Sequence, residues 1–331
     1  MTASRLTRIQ LDRAAGALLG LVAGDALGAP YEFTSSPEPV ADLVGGGTFG
    51  WAPGEWTDDT QMAICVAEVT ATGVVDVDAI GQRFLAWLHS GPTDVGISTR
   101  AVLASVSSPA ELPDAARRYY ERHPRGAAGN GSLMRTAPVA LAHLGDDDAI
   151  AAAATEVSML THGDPLAGEG CVLWCVAIDR GVREERLDGV RDALDLLPAS
   201  SRDRWAPRLS EAESQPAASF SRNGFVVTAL QAAYASIRET PVPDDAPPRH
   251  LEDALMTAVR VGGDTDTVAA IAGQLLGARW GASAVPSRWR DMLHGWPGYR
   301  ADDLVRLADL TVRGGRPDGA SSPGSADLDE L

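Results

Sequence analysis

The sequence contains no lysine, because all 28 basic residues are arginine. Lysine provides the amine of Schiff-base enzymes, the phosphate-binding amine of the P-loop and some general bases, so these three kinds of site are excluded. Cysteine is also scarce, and the three present, Cys65, Cys171 and Cys175, cannot form an even set of disulfides. The last two are one helical turn apart, and we interpret all three as reduced core residues.

Two further catalytic classes lack their residue patterns. The six histidines show no H-x-x-x-H spacing and no His/Cys spacing of the kind that binds zinc. Ser132, in "GNGSL", lacks the G-x-S-x-G pattern of a hydrolase nucleophile elbow. What remains for catalysis is carboxylate chemistry.

The composition is that of a globular protein, with 45% hydrophobic residues in a chain of 331. A net charge of −17 opposes nucleic acids and anionic membranes, so we expect neither as a partner. An anionic ligand must therefore be held by helix N-termini, arginine or metal ions. The apolar run near the N-terminus is interrupted by Asp25, so we expect no secretory signal and a cytoplasmic location. We also expect a monomer.

Hydrophobic residues recur with a period near 3.6, and strand-like alternation is scarce, which predicts an all-α fold. The predicted helices span roughly 7–24, 59–72, 78–89, 98–106, 112–122, 133–144, 147–160, 165–180, 187–196, 222–238, 249–259, 266–279 and 287–293. We expect one compact domain over 1–313 that includes a polar surface excursion at about 198–221. Residues 314–331 have the composition of a disordered acidic tail.

The stretch "WTDDTQM" places two carboxylates at a predicted helix start. Thr57 is expected near the N-cap, with Asp58 and Asp59 in the first turn. One interpretation is simple capping, because acidic residues there satisfy free N–H groups and complement the helix dipole.

A second stretch, "VGGDTDT", repeats this arrangement about two hundred residues later, with Asp264, Thr265, Asp266 and Thr267 at the start of another helix. Capping needs one acceptor per helix end, yet each motif offers two carboxylates and a threonine hydroxyl. If the two helix ends face each other, the carboxylates repel unless cations lie between them. Oxygen ligands of this kind suit Mg²⁺ or Mn²⁺, and Asp266 could bridge two ions.

Other polar residues have both a structural and a functional interpretation. Glu32 is either a surface glutamate or a fifth acidic group, and Asp25 is better explained as a helix-end hydrogen-bonding residue than as a ligand. Asp94 precedes a helix that it could cap, and His162 could be an ordinary turn histidine. The glycine-flanked turn at 129–135, "GNGSLMR", is either a plain loop-to-helix junction or a phosphate-binding turn.

Taken together, six stretches resemble the ADP-ribosylglycohydrolase family, which contains the bacterial dinitrogenase reductase-activating glycohydrolases. They are "GALLGLVAGDALGAPYEF" (16–33), "WTDDTQM" (56–62), "SGPTDVGISTR" (90–100), "GNGSLMRTAPVAL" (129–141), "THGDP" (161–165) and "VGGDTDTVAAIAGQLLGA" (261–278). The ordered matches cover most of the chain, and the paired Thr/Asp motifs are highly specific.

The resemblance implies a single-domain all-α fold that holds two Mg²⁺ or Mn²⁺ ions at the base of an ADP-ribose cleft. The implied metal ligands are Thr57, Asp58, Asp59, Asp264, Asp266 and Thr267. The implied catalytic residues are Asp94, as the acid/base, and Glu32 near the metals. The implied ADP-ribose contacts are Gly129, Asn130, Gly131, Ser132, Met134 and His162.

The resemblance also implies the reaction: hydrolysis of the N- or O-glycosidic bond between ADP-ribose and a modified protein side chain. The stretch "PTDVG" around Asp94 favours an arginine linkage, because the serine-linkage branch of the family lacks its equivalent. Asp94 would shuttle a proton to or from the departing guanidinium nitrogen, and Glu32 would assist in positioning. Two alternatives stay open: a hydrolase of a free ADP-ribose derivative or other nucleoside-type metabolite, and a lapsed enzyme that only binds ADP-ribose.

Overall fold

A computed structural model describes residues 6–34, 39–124 and 126–316. Within these ranges helices predominate and strands are almost absent, which confirms the prediction of an all-α fold. The helices are α1 (Arg8–Gly28), α2 (Asp58–Thr70), α3 (Val77–His89), α4 (Ile97–Leu103), α5 (Leu112–Arg122), α6 (Ala137–Ala142), α7 (Asp147–Met159), α8 (Pro165–Glu184), α9 (Ala199–Ser214), α10 (Val226–Glu239), α11 (His250–Arg260), α12 (Thr265–Trp280), α13 (Ser287–Met292) and α14 (Ala301–Val312). Two short strands, β1 (His294–Gly295) and β2 (Tyr299–Arg300), pair antiparallel.

Helices α1 and α12 form the centre of the fold and pack backbone against backbone. A Cβ atom added to Gly20 would lie 2.2 Å from the carbonyl oxygen of Gly273, and one added to Gly24 would lie 2.1 Å from that of Ala269. Because these pairs run in opposite directions along the chain, the two helices are antiparallel. The C-terminal end of α1 therefore lies beside the N-terminal end of α12, where the second Thr/Asp motif begins.

The first helix is apolar enough by composition and length to cross a membrane, since Arg8–Tyr31 contains a window of mean hydropathy 1.2. However, 94% of that window is buried inside the fold. The helix is thus packed as the core helix of a globular protein. Cys65, Cys171 and Cys175 are buried and free, as predicted.

The interpretation of 198–221 as a polar surface excursion is corrected by the structure, which contains helix α9 there. Trp205 and Leu209 are fully buried, one turn apart, on a helix whose other positions are mostly polar. The Trp205 indole N–H donates to a carboxylate oxygen of Glu169 at 2.7 Å. A single narrow apolar stripe was too weak a periodic signal to predict this helix.

Other differences concern helix type and ends. Residues predicted as a helix at 187–196 form a 3₁₀-helix, Gly189–Leu196. Helix α6 starts four residues later than predicted, with Pro138 in its first turn, a position that favours helix initiation. Helix α14 was not predicted. The predicted acidic tail lies outside the described residues from residue 317 onward and stays a prediction.

Candidate active site

The two Thr/Asp helix starts lie against each other. Helix α2 follows Thr57 and α12 follows Asp264, and neither of these N-cap side chains makes the usual capping bond, in which it would accept a backbone N–H of its own first turn. Instead, the hydroxyls of Thr57 and Thr267 donate to the same oxygen of Asp59, at 3.1 and 3.3 Å. Capping alone therefore does not account for the paired motifs.

Seven acidic side chains surround this junction, and we call them the acidic cluster. They are Asp25, Glu32, Asp58, Asp59, Asp94, Asp264 and Asp266. Among the described residues, no arginine lies within salt-bridge distance of any of the seven. So much uncompensated negative charge is costly inside a protein, and a bound cation would remove the cost.

Two groups of three carboxylates within the cluster have oxygen atoms close enough to share an ion. Oxygens of Asp25, Asp59 and Asp266 lie within 4.8 Å of one another, and so do oxygens of Glu32, Asp264 and Asp266. Asp266 belongs to both groups. One oxygen of Asp59 and one of Glu32 are buried with no hydrogen-bond partner among the described residues. These unpartnered oxygens are the chemistry expected of ligands to hard divalent cations.

Burial and mutual repulsion change the protonation of the cluster. Burial, followed by the charges of neighbouring carboxylates, raises the pKa of Asp58 and of Glu32 to about 8. The same two causes raise the pKa of Asp59 and of Asp266 well above the usual range. In the absence of cations Asp58 and Glu32 therefore retain protons near neutral pH, whereas a divalent ion would favour the charged forms of all four groups.

Asp25 holds the start of α2 in place. Its fully buried carboxylate accepts hydrogen bonds from the backbone N–H of Thr57 and of Thr60 and, at 2.5 Å, from the Thr60 hydroxyl. This agrees with the interpretation of Asp25 as a hydrogen-bonding residue. Burial nevertheless raises its pKa to about 6, because the loss of solvent outweighs the hydrogen bonds from Thr57 and Thr60, which lower the pKa.

Glu32 is only 6% exposed, so it is not an ordinary surface glutamate. It follows a short 3₁₀-helix, Ala29–Tyr31, that continues α1. The next residue, Phe33, has a φ of 50° and donates its backbone N–H to the carbonyl oxygen of Gly263 at 2.8 Å. This strained turn joins the Glu32 segment directly to the second Thr/Asp motif.

Asp94 lies in the loop between α3 and α4 and is half-buried. It does not cap α4, because Gly96 occupies the N-cap position. The N–H of Gly96 donates to Asp58 at 3.4 Å, which ties this loop to the first motif. Burial and the negative charge of Asp264 raise the pKa of Asp94. A half-buried carboxyl group with a raised pKa beside the two Thr/Asp motifs fits an acid/base role.

The glycine-flanked turn contacts the acidic cluster through Asn130. The side-chain amide of Asn130 donates to a carboxylate oxygen of Asp264 at 2.7 Å and to the carbonyl oxygen of Asn223 at 2.9 Å. Gly129 and Gly131 flank it, and both are partly buried. The structure thus brings the predicted ADP-ribose contacts next to the predicted metal ligands.

Two of the predicted contacts have side chains that face the core. The Ser132 hydroxyl accepts a hydrogen bond from Ser158 at 2.9 Å and is 2% exposed. Met134 is 3% exposed, and its carbonyl oxygen accepts from Gln274 at 2.7 Å. These residues shape the turn, and any contact they make with a ligand must come through their backbone atoms.

Sequence reasoning missed Asn223 and Phe225, which complete this side of the cleft. The Asn223 side chain accepts from the N–H of Asp264 at 2.9 Å and donates to the carbonyl of Gly262 at 2.9 Å. Phe225 bridges to Gly129 and is 40% exposed. The available signal was the Asn-Gly dipeptide within "RNGF", which is typical of a turn.

His162 is 3% exposed and lies under the glycine-flanked turn. A Cβ on Gly129 or on Gly131 would come within 3.3 Å of its Nε2 atom. Its Nδ1 atom lies 2.8 Å from the Thr161 hydroxyl. Burial, with a smaller effect of the nearby Arg135 charge, lowers the His162 pKa to about 3, so the ring is neutral.

Comparison with known proteins identifies the family of this chain. A sequence profile of the ADP-ribosylglycohydrolase family matches residues 6–319. The chain belongs to the ADP-ribosylglycohydrolase family. The match includes both Thr/Asp motifs, the Asp94 loop and the glycine-flanked turn, and it confirms the resemblance seen in the sequence.

Several ADP-ribosylglycohydrolase relatives are similar over most of their length. The chain is 32% identical to "ADP-ribosylarginine hydrolase Tri1" of Pseudomonas putida (strain GB-1), over 84% of this chain and 73% of that protein. It is 30% identical to "ADP-ribosyl-[dinitrogen reductase] glycohydrolase" of Rhodospirillum rubrum, over 85% of this chain and 90% of that protein. A solved structure titled "ADP-ribosylglycohydrolase-related protein complex" matches with a TM-score of 0.71 and 28% identity, over 94% of this chain and 100% of that chain. The protein is therefore a hydrolase of glycosidic bonds with a single compact helical fold.

Proposed function

We propose that this enzyme releases ADP-ribose from modified arginine side chains with the help of two Mg²⁺ or Mn²⁺ ions. The observation that carries the proposal is the acidic cluster, whose two carboxylate groups share Asp266 and contact the glycine-flanked turn through Asn130. The arginine linkage is supported by the "PTDVG" stretch around Asp94 and by the name of the Pseudomonas putida relative.

The proposed ligand sets fit two hard cations. The first set is Thr57, Asp58 and Asp59, and the second is Asp264, Asp266 and Thr267. The unpartnered oxygens of Asp59 and Glu32 suit such ions, because burial without a partner is costly. When bound, the ions supply Lewis-acid polarisation of the ribose hydroxyls and of water, which favours cleavage at the anomeric carbon.

The protein's own residues provide the rest of the proposed mechanism. Backbone N–H groups of the turn from Gly129 to Ser132 bind oxygens of the diphosphate, as helix-start turns do in other proteins. Asp94 transfers a proton to or from the departing guanidinium nitrogen, a role that its raised pKa suits. Glu32 assists in positioning the reacting groups. No covalent intermediate is required.

Product analysis tests the substrate. We expect the purified enzyme to release ADP-ribose from an arginine-ADP-ribosylated protein and to act poorly on a serine-ADP-ribosylated one. Preference for the serine linkage would contradict the arginine assignment. Release from neither protein, with turnover of a free ADP-ribose derivative or nucleoside, would show that the substrate is a small metabolite.

Calorimetric titration with Mn²⁺ tests the ligand sets. We expect binding of two ions to the wild-type protein and loss of at least one in Asp264→Ala, because Asp264 belongs to a carboxylate group that shares Asp266. Equal binding by the two proteins would refute the second ligand set. Binding of ADP-ribose without metal-dependent turnover would indicate a lapsed enzyme.

We also propose that the protein is a monomer located in the cytoplasm. The three free cysteines agree with a reducing compartment. Sedimentation at a mass near 34.6 kDa would support the monomer, whereas twice that mass would contradict it.

A further inference from the structure

Arg135 is a fully buried arginine whose contacts lead to the proposed ligand cleft. It is 0% exposed, its guanidinium lies 4.3 Å from the centre of the Phe84 ring, and it approaches Met62 Sδ at 3.3 Å. No carboxylate among the described residues forms a salt bridge with it. Burial lowers its pKa to about 10, which still leaves it charged at neutral pH. Burying a charge without a counter-ion costs free energy, so the hydrogen bonds of this guanidinium must offset its loss of water.

The strongest of these bonds runs to Thr161. A guanidinium N–H of Arg135 donates to the Thr161 hydroxyl oxygen at 2.7 Å. An arginine side chain cannot accept a hydrogen bond, so the Thr161 oxygen is the acceptor and its own proton remains to be donated. Among the described residues, the acceptor within reach of that proton is His162 Nδ1, at 2.8 Å.

This direction decides the tautomer of His162. If Nδ1 carried the proton, the Thr161 oxygen would face two N–H donors, and its hydroxyl proton would be buried without an acceptor in the described part of the chain. With Nδ1 as acceptor, each group has a partner. The ring is neutral, so its one N–H is then on Nε2.

The Nε2 atom lies at the glycine-flanked turn. Gly129 and Gly131 approach it with backbone atoms alone, because a Cβ on either residue would sit 3.3 Å from it. The described residues offer no hydrogen-bond acceptor to this atom. A neutral histidine with an unused N–H at the edge of a ligand cleft is prepared to donate to a ligand oxygen.

We propose that Arg135 and Thr161 are positioning residues that hold His162 in its Nε2–H tautomer, so that His162 donates a hydrogen bond to an oxygen of the bound ribosyl phosphate. The identity of that ligand rests on the proposed function. The ligand oxygen belongs either to a phosphate or to a ribose hydroxyl, since both accept from a neutral N–H. Arg135 acts only through Thr161 and does not touch the ligand.

The tautomer can be measured directly in the ligand-free, metal-free protein. Two-bond ¹⁵N–¹H NMR spectra distinguish protonated from unprotonated imidazole nitrogens, and His162→Asn identifies the signals of His162. We expect an unprotonated Nδ1 and a protonated Nε2 in the wild type. A protonated Nδ1 would overturn the proposal, whatever substrate the enzyme hydrolyses.

Variants of Thr161 connect the tautomer with binding. Thr161→Val removes the hydroxyl proton that Nδ1 accepts, so we expect a mixed tautomer and ADP-ribose binding weakened about five- to tenfold, the usual effect of one hydrogen bond. Thr161→Ser keeps the hydroxyl and should restore both the spectrum and the Kd. An unchanged Kd and spectrum in Thr161→Val would overturn the relay.

Further ligands identify the acceptor and separate this proposal from the proposed function. If Thr161→Val weakens the binding of ADP but not of adenosine, the acceptor is a phosphate oxygen. If it weakens the binding of both ligands equally, the acceptor is a ribose hydroxyl of the adenosine. If Thr161→Val does not fold, the wild-type spectrum still decides the tautomer. Failure of the product assay on both protein linkages would refute the proposed function while leaving that spectrum unaffected.

Discussion

The close packing of α1 against α12 makes Gly20→Ala a sensitive test of the fold. The added Cβ would lie 2.2 Å from the carbonyl oxygen and 3.0 Å from the carbonyl carbon of Gly273. Real Cβ atoms essentially never approach a heavy atom more closely than 3.0 Å, so the backbones must separate. Neither helix can avoid this by changing a rotamer, because the contact is with backbone atoms.

Overpacking of this kind costs about 1–3 kcal/mol in other proteins. Alanine normally stabilises a helix relative to glycine by about 0.5–1 kcal/mol, and here the steric cost should outweigh that gain. With a shift of roughly 2 °C per kcal/mol for a large chain, we expect a Tm several degrees below that of the wild type. The separation would also move the N-terminus of α12, where Asp264 lies, so Mn²⁺ affinity should fall.

Gly168→Ala is the matched control. Gly168 is also a buried glycine within a helix, α8, but a Cβ there would meet only Thr155, at an ordinary 3.6 Å. Differential scanning calorimetry should show an equal or higher Tm for this variant. A Tm for Gly20→Ala equal to or above the wild-type value would refute the backbone contact between α1 and α12.

Two further predictions concern the acidic cluster. Asp94→Asn should remove most hydrolysis in steady-state assays while the Kd for ADP-ribose stays near the wild-type value, because the amide keeps the shape but cannot transfer a proton; undiminished turnover would rule out the acid/base role. Without metal, the free energy of unfolding should fall as the pH rises from about 5 to about 8. The pKa values of Asp58 and Glu32 are about 8 in the folded protein, above their ordinary values. The folded protein therefore binds more protons than the unfolded chain in this range, and it loses this stabilisation as the protons leave. In thermal melts across this range, the Tm of metal-free Asp58→Asn should fall less steeply with pH than that of the wild type. Adding Mn²⁺ at pH 8 should raise the Tm of the wild type. A metal-free Tm that rises with pH would contradict the raised pKa values of Asp58 and Glu32.

The site was predictable to the extent that short motifs carry it. Both Thr/Asp motifs, the Asp94 loop and the glycine-flanked turn are contiguous stretches, each at the start of a helix or just before one. Their residue types favour hard cations over zinc. The absence of lysine excluded Schiff-base, P-loop and lysine general-base sites without any knowledge of the secondary structure.

Residues whose role depends on partners far away in the sequence were harder to predict. Asn223 is one polar residue in an ordinary turn until its hydrogen bonds to Gly262 and Asp264 are seen. Glu32, taken alone, was better explained as a surface residue, and its 6% exposure removes that explanation. Helix α9 was missed because its apolar stripe is narrow and most of its other residues are polar.

Local sequence was therefore sufficient for the helical class and the family, and it suggested most of the proposed site residues, because periodicity and short motifs involve neighbours in the chain. The meeting of the two motifs required the folded chain, since it depends on glycines of α1 fitting against the backbone of α12, about 250 residues away. The same is true of His162. Its tautomer follows from a buried arginine and a threonine hydroxyl, and proton direction in such a relay is a property of three-dimensional contacts.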